Sequence, residues 1–169
     1  MRPSRDQWGL QLAQVTAQRA TCCRRQVGCV LVNERGHVLA TGYNGRAAGL
    51  PHCNEVVTSV DLAGAQWKPE DIIVTYPHAC AGATAPSGTN LDGCEAIHAE
   101  QNALLQCRDV HQIHTAYVTA SPCITCVKLL LNTSVERVVF ATEYSHVEAR
   151  GLWERGRRGL GTWLHMPLS

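Results

Sequence analysis

Residues 115–142 read TAYVTASPCITCVKLLLNTSVERVVFAT, and the alternation inside that stretch decides the fold. Thr115 to Thr119 is a short run of β-branched and aromatic residues, and Arg137 to Thr142 is a second one. Between them, Pro122 to about Asn132 reads as a helix. Strand, helix and strand in that order predict a βαβ unit.

Further helices are expected upstream, around Glu95 to Cys107, and downstream, near His146 to Arg157, followed by a short apolar end at Thr162 to Met166. Near the N-terminal side, Ser4 followed by Gln7 makes a capping-box pattern. It opens a helix from Asp6 to about Ala20 that carries Trp8, Leu12, Val15 and Ala20 at near-helical spacing. Val27 to Val32 (VGCVLV) and His37 to Tyr43 (HVLATGY) flank the turn Asn33-Glu34-Arg35-Gly36, which predicts an antiparallel hairpin. Together these elements predict an α/β fold in three layers, α/β/α, around a mixed central sheet of about five strands.

The length of 169 residues suits one domain over 1–169, and 45 % hydrophobic with 17 % charged residues is enough to bury a core. The net charge of +1, without a long basic run, argues against a nucleic-acid polymer as partner. Two local basic groups, Arg24 with Arg25 and Arg150 with Arg155, Arg157 and Arg158, read as solvated surface. No stretch has the length of a membrane span and the first residues are polar, so no membrane role and a cytoplasmic location are expected. Nine cysteines in a reducing compartment then call for metal or chemistry rather than disulfides.

From Asn44 to about Gly93 periodicity is weak, apart from a possible short apolar run at Ile72-Ile73-Val74. A connection this long inside a compact domain is usually functional or held by something other than a core. This one, with the insert proper at about 46–94, contains His52, Cys53, His78, Cys80 and Cys94, so a metal clip is the natural candidate.

The chemistry is concentrated in His98-Ala99-Glu100, placed within a helix, and Pro122-Cys123-Ile124-Thr125-Cys126, opening the next one. A Cys-x-x-Cys pair at a helix start directs two thiolates at one metal, and the helix N-terminus stabilises them as anions. His98 makes a third ligand. Three protein ligands are the pattern of a catalytic zinc, which leaves a fourth position for water and lowers its pKa to about 7. Glu100 stands off the ligand pattern, where it can take a proton from that water and return it to a leaving amine. His-x-Glu joined to Pro-Cys-x-x-Cys is the signature of zinc-dependent base deaminases. Cys29 and Cys107, in apolar strand and helix contexts, read as buried unligated cysteines.

At these residues the chain resembles the cytidine deaminase superfamily, and other motifs narrow the likeness to its deoxycytidylate deaminase branch, of phage and bacterial type. Thr21-Cys22 with Arg24-Arg25-Gln26-Val27-Gly28 is similar to that branch's early motif, Gly42-Tyr43-Asn44-Gly45 matches its GYNG motif, and Gly49-Leu50-Pro51-His52-Cys53 follows at its spacing. The resemblance implies zinc on His98, Cys123 and Cys126, Glu100 as proton shuttle, and hydrolysis of dCMP to dUMP and ammonia for thymidylate synthesis. It also implies a homohexamer, activated by dCTP and inhibited by dTTP with Mg²⁺ at a site around Gly42, Tyr43, Asn44 and Gly45. A second, structural zinc is implied on Cys22, Cys53, Cys80 and Cys94, with His78 as an alternative to Cys80.

Substrate contacts are assigned to Arg25, Asn44, Ser121 and Tyr144. Arg25 suits a monophosphate and Asn44 a deoxyribose hydroxyl or phosphate, while the resemblance implies that the Tyr144 ring lies against the pyrimidine C5 edge. Asn44 equally suits a left-handed turn position, and Tyr144 a cap on the core. The core motif is shared by deaminases of free cytidine or deoxycytidine, tRNA adenosine and single-stranded DNA, so it does not itself choose among substrates. Near-zero charge and nine aromatics in all weigh against polymers. A non-catalytic zinc module is the remaining alternative, and Glu100 argues against it, because a structural site is closed by four ligands.

Overall fold

In chain order the elements are α1 (Arg5–Ala17), β1 (Gly28–Val32), β2 (Val38–Tyr43), β3 (Gly45–Arg46), β4 (Val57–Val60), β5 (Ile72–Thr75), β6 (Ala96–Ile97), α2 (Ala99–Gln106), β7 (Thr115–Ala120), α3 (Ile124–Leu131), β8 (Arg137–Thr142), α4 (Val147–Arg155) and β9 (Trp163–His165). The structure, a computed structural model, describes residues 2–55, 57–60, 72–76, 78–86, 89–90, 92–144, 147–156, 159 and 161–168. His146, Arg157 and Arg158, named above in a helix and a basic group, lie outside the described residues.

The βαβ unit forms as expected: β7 and β8 are parallel neighbours joined through α3. The apolar C-terminal stretch completes a second parallel pair, β8 with β9, through α4. On the other side β1 pairs antiparallel with both β7 and β2, giving a mixed five-stranded sheet in the order β2-β1-β7-β8-β9. This is the three-layer α/β/α arrangement.

Side-chain alternation explains why the central strands are apolar throughout. Cys29 and Leu31 of β1, Ala116 and Val118 of β7, and Val138 and Phe140 of β8 face α2, α3 and α4. Val30, Val32, Tyr117, Val139 and Ala141 face α1 on the opposite side. A sheet covered on both faces has no polar side to present. The α4 layer is anchored by Trp153, fully buried, whose indole N–H donates to Thr162 Oγ1 at 2.9 Å.

The capping box of α1 is present: Gln7 N–H donates to Ser4 Oγ at 3.1 Å, and Ser4 N–H to Gln7 Oε1 at 2.8 Å. The face that α1 buries is not the one its large apolar residues suggest. Trp8 and Val15 are 39 % and 61 % exposed, while Gly9, Leu10, Ala13 and Ala17 form the buried stripe. Gly9, Ala13 and Ala17 let the helix axis approach the sheet, Leu10 fills the space beside them, and Trp8 and Val15 are turned outward. Asp6 ties the helix down by accepting from Tyr117 Oη at 2.8 Å and Arg137 Nη2 at 2.8 Å.

The insert is more regular than its sequence suggests. Gly45–Arg46 and Ala96–Ile97 pair as a two-residue antiparallel ladder, β3 with β6, that brings its two ends together. Val57–Val60 and Ile72–Thr75 form a second ladder, β4 with β5. Among the described residues no helix is long and apolar enough to cross a membrane.

Candidate active site

The carboxyl ends of β7 and β8 open onto the start of α3, the edge of an α/β sheet where ligands usually bind. Cys123 is the N-cap of α3, with extended backbone (φ −72°, ψ 169°), and Cys126 lies one turn further on. His98 is not inside a helix, as the sequence suggested, but is the N-cap of α2 (φ −72°, ψ 158°). Pairing of Ala96–Ile97 with β3 takes the preceding residues into a strand, so the helix cannot start earlier. Gln101 Oε1 accepts the His98 backbone N–H at 2.8 Å and fixes this entry.

The two caps bring three donors together. His98 Nδ1 is 3.4 Å from Cys123 Sγ and 3.5 Å from Cys126 Sγ, and all three donor atoms lie within 4.8 Å of one another. A tetrahedral zinc with Zn–S of about 2.3 Å and Zn–N of about 2.0–2.1 Å separates N from S by about 3.6 Å. The observed separations therefore fit zinc without rearrangement. The bond with Cys126 first, and His98 next, holds the Cys123 thiol well below its ordinary value, so a thiolate is already favoured there. Two helix N-termini pointing at the same spot favour negative charge further.

Glu100 follows in the first turn of α2, 4 % exposed. Burial pushes its carboxyl above the usual range, while its own backbone N–H and His98 oppose the shift. The neighbouring Cys126 thiol opposes the shift as well. A buried carboxyl beside a metal position, able to exist protonated or ionised, can accept a proton and hand it on.

These groups floor a cavity of about 340 Å³ whose walls include Arg25, Asn44, Ser121 and Tyr144. All four predicted substrate residues thus reach it. The Arg25 guanidinium lies 5.1 Å from the centre of the Tyr144 ring, a cation–π stack at the rim. Asn44 is bound into the backbone: its Oδ1 accepts Val27 N–H and its Nδ2 donates to Arg25 C=O, both at 2.8 Å. Its own backbone is not left-handed, since among the described non-glycine residues only Asn90 has positive φ. Ser121 Oγ accepts Tyr144 N–H at 2.7 Å, so it sets the position of the tyrosine.

Of the turn Gly42 to Gly45, only Asn44 lines this cavity among the described residues. Tyr43 C=O accepts Asn102 Nδ2 of α2 at 2.7 Å. Gly42 is pressed against α2: a Cβ there would stand 2.2 Å from Ala99 O and 2.3 Å from Ala103 N. Its missing side chain is therefore used to seat the helix that carries Glu100.

The residues assigned to a second zinc divide. Cys22, Cys53 and Cys80 are buried, and both Cys22 and Cys80 are near enough to perturb Cys53 electrostatically. Burial pushes the Cys80 thiol up, but the backbone around it, Glu95 first, outweighs this and leaves it below its ordinary value. Cys94 instead lines the catalytic cavity, as Cys22 also does. The backbone C=O of His78 accepts from Arg46 Nη1 at 3.2 Å. Among the described residues, His98, Cys123 and Cys126 are the one group whose donor atoms all fall within 4.8 Å. Cys29 is fully buried in the core and Cys107 packs against it.

A larger hollow of about 750 Å³ lies at the amino ends of β7 and β8, bordered by Arg5, Trp8, Tyr117 and Arg137. It has no cluster of metal donors among the described residues, so the smaller cavity is the chemical one. Sequence reasoning missed Arg24 and Asp92 as residues lining this cavity and put Cys94 on a different metal. Arg24 reaches Gly82 and Thr89, far along the chain, and only its adjacency to Arg25 hinted at it.

Comparison with known proteins agrees with the geometry. Residues 3–142 match the family model for the cytidine and deoxycytidylate deaminase zinc-binding region. A deoxycytidylate deaminase of Mycobacterium phage D29 is 36 % identical over 146 residues, covering 84 % of this chain and 98 % of that protein. The deoxycytidylate deaminase of Saccharomyces cerevisiae is 35 % identical over 146 residues, 85 % of this chain. The alignments with it and with its Schizosaccharomyces pombe counterpart span only 39 % of the length of those relatives. Among solved structures, a dCMP deaminase of cyanophage S-TIM5 in complex with dCMP and dUMP shares the fold, with a TM-score of 0.62 and 22 % identity over 92 % of this chain and 93 % of that one. The family match takes in both N-caps that carry the metal donors as well as Glu100 between them, and on that ground this chain belongs to the cytidine and deoxycytidylate deaminase family.

Proposed function

We propose that this protein hydrolyses dCMP to dUMP and ammonia, supplying dUMP for thymidylate synthesis. The observation that carries the reading is the placement of buried Glu100 beside a three-donor zinc site at the floor of a nucleotide-sized cavity. Zinc bound there acidifies water to a pKa of about 7 and so makes a nucleophile available at neutral pH. Glu100 accepts a proton from the water and passes it to ring N3 as the C4–O bond forms, then carries the second water proton to the exocyclic amine as the C4–N bond breaks, so that ammonia leaves and the C4 carbonyl with N3–H remains.

Arg25 at the rim meets the 5′-phosphate, and the Tyr144 ring, held by Ser121, bounds the pyrimidine C5 edge. Asn44 keeps one amide hydrogen for the sugar while its other bonds hold the Arg25 segment in place. The phage D29 relative, matched along nearly its whole length and named a deoxycytidylate deaminase, supports the choice of substrate.

The same reading includes a homohexamer, activated by dCTP and inhibited by dTTP with Mg²⁺ through the Gly42 to Gly45 turn. It also includes a second zinc on Cys22, Cys53, Cys80 and Cys94, with His78 as an alternative to Cys80, supported by the burial of Cys22, Cys53 and Cys80.

Ammonia release from dCMP, deoxycytidine and oligonucleotides by zinc-loaded protein tests the reaction. dCMP should be turned over with the highest kcat/KM, and a preference for nucleoside or polymer would overturn the substrate. Rates against dCMP with each triphosphate test regulation, and hyperbolic curves unmoved by either would remove it.

A further inference from the structure

Arg24 and Arg25 are neighbours in sequence, but the structure gives them different work. Arg25 stays at the cavity mouth over Tyr144. Arg24 turns away into the insert, where its Nη1 donates to Gly82 C=O at 2.7 Å and, more loosely, to Thr89 C=O at 3.3 Å. An arginine expected on solvated surface is thus spent on backbone carbonyls 58 and 65 residues further along the chain.

Those carbonyls precede a wall of the catalytic cavity. Asp92, Cys94 and Ala96 line it together with Arg24 and Arg25, and the chain then runs directly into His98. Gly82 links the arginine to this wall. Its N–H donates to Gly93 C=O at 2.7 Å, and a Cβ on it would stand 2.6 Å from Cys94 Cα and 2.8 Å from Cys94 N. Arg24 therefore grips Gly82 on one side while the Gly93–Cys94 backbone lies on the other. The far end of the insert is held in a similar way, by Arg46, which donates to Pro51 C=O at 3.1 Å and His78 C=O at 3.2 Å and pairs with Glu95.

We infer that Arg24 is a positioning residue for the reaction: through Gly82 it fixes the Asp92 to Ala96 stretch as the wall that meets the nucleoside, and it acts on substrate through that wall rather than on the phosphate. The inference rests on the deamination of dCMP proposed above. It separates the two arginines by a property a general structural role does not touch. Loss of a phosphate contact weakens only phosphorylated ligands. Displacement of a wall that meets base and sugar weakens nucleotide and nucleoside alike.

The test uses the full zinc-loaded chain with Arg24→Gln, Gly82→Ala and Arg25→Gln. Affinities for dUMP and deoxyuridine, kcat on dCMP, zinc content, and amide hydrogen exchange of residues 82–96 are measured. Arg24→Gln and Gly82→Ala should each weaken both ligands about tenfold, as for the loss of one hydrogen bond to a charged group, with zinc retained and kcat within about threefold. Exchange in 82–96 should quicken in Arg24→Gln. Arg25→Gln should weaken dUMP alone. A penalty in Arg24→Gln confined to dUMP, or unchanged exchange in 82–96, would overturn the inference. Absence of dCMP turnover by the unsubstituted protein would sink the proposed reaction instead, while ligand affinity and exchange still decide whether Arg24 holds the wall.

Discussion

Substituting Gly42 by alanine probes how the sheet sets the position of the helix that carries Glu100. The new Cβ would lie 2.2 Å from Ala99 O and 2.3 Å from Ala103 N, against an ordinary contact that begins at 3.4 Å. Both atoms belong to the α2 backbone, so no flexible side chain can yield and the helix itself must retreat by about 1 Å. Ala99 adjoins both His98 and Glu100, and these move with it. Catalytic groups work within about 0.5 Å of their productive positions, and an error of about 1 Å costs about 10²-fold in rate. Gly42→Ala should therefore lower kcat on dCMP about a hundredfold and reduce stability by about 1–3 kcal/mol, the usual cost of overpacking. The assay pairs ammonia release without any triphosphate with urea unfolding of zinc-loaded protein. A rate and an unfolding midpoint close to those of the unsubstituted chain would refute the packing argument. Normal basal turnover with only the dCTP response abolished would assign Gly42 to effector binding instead.

Three further outcomes follow from the site and the core. Glu100→Gln should keep its zinc, measured by metal analysis, while turnover falls by about 10² to 10⁴; near-normal turnover would remove Glu100 as the proton carrier. Cys123→Ala should lose the catalytic metal as well as activity, because only two of the three donors remain, and an unchanged metal content would contradict the ligand set. Asp6→Asn should destabilise the fold by about 1–3 kcal/mol at neutral pH through weakened bonds to Arg137 and Tyr117. Burial opposes the Asp6 charge, but those hydrogen bonds outweigh it and leave the carboxyl below its ordinary value of 3.8. A lowered native value means that the stabilisation is complete well above pH 3.8 and fades as pH falls through the native value. The stability gap between Asp6→Asn and the unsubstituted chain, followed by urea unfolding, should accordingly narrow in acid; a gap independent of pH would contradict this.

The sequence is legible where local pattern and tertiary demand agree. β8 has the bounds read from Arg137 to Thr142, and β7 extends one residue beyond Thr119. His98, Glu100, Cys123 and Cys126 are identified because metal chemistry constrains both their types and their spacing. It fails where long-range pairing wins. Two-residue strands such as β3 and β6 have no period to read, yet their pairing moves the start of α2 from about Glu95 to Ala99. The face of α1 is half legible: of the residues read at helical spacing, Leu12 and Ala20 pack inward but Trp8 and Val15 point outward, because the buried stripe is Gly9, Leu10, Ala13 and Ala17. Asn44 and Ser121 are found as cavity residues, but that their polar atoms serve backbone groups of Val27, Arg25 and Tyr144 depends on contacts no spacing rule encodes.

The short ladder between Gly45–Arg46 and Ala96–Ile97 makes the intervening segment a replaceable cassette. Once the two ends are fastened side by side, each doubling of the intervening length costs only about 0.6 kcal/mol of closure entropy. The catalytic helix starts just beyond the fastening, so its register is set before the cassette contributes anything. Yet the cassette returns to the cavity through the neighbourhood of Arg24, and exchanging it would exchange a surface of the binding site. A scaffold joined in this way can change what its cavity accepts by substitution of one contiguous block, leaving His98, Glu100, Cys123, Cys126 and the five-stranded sheet untouched.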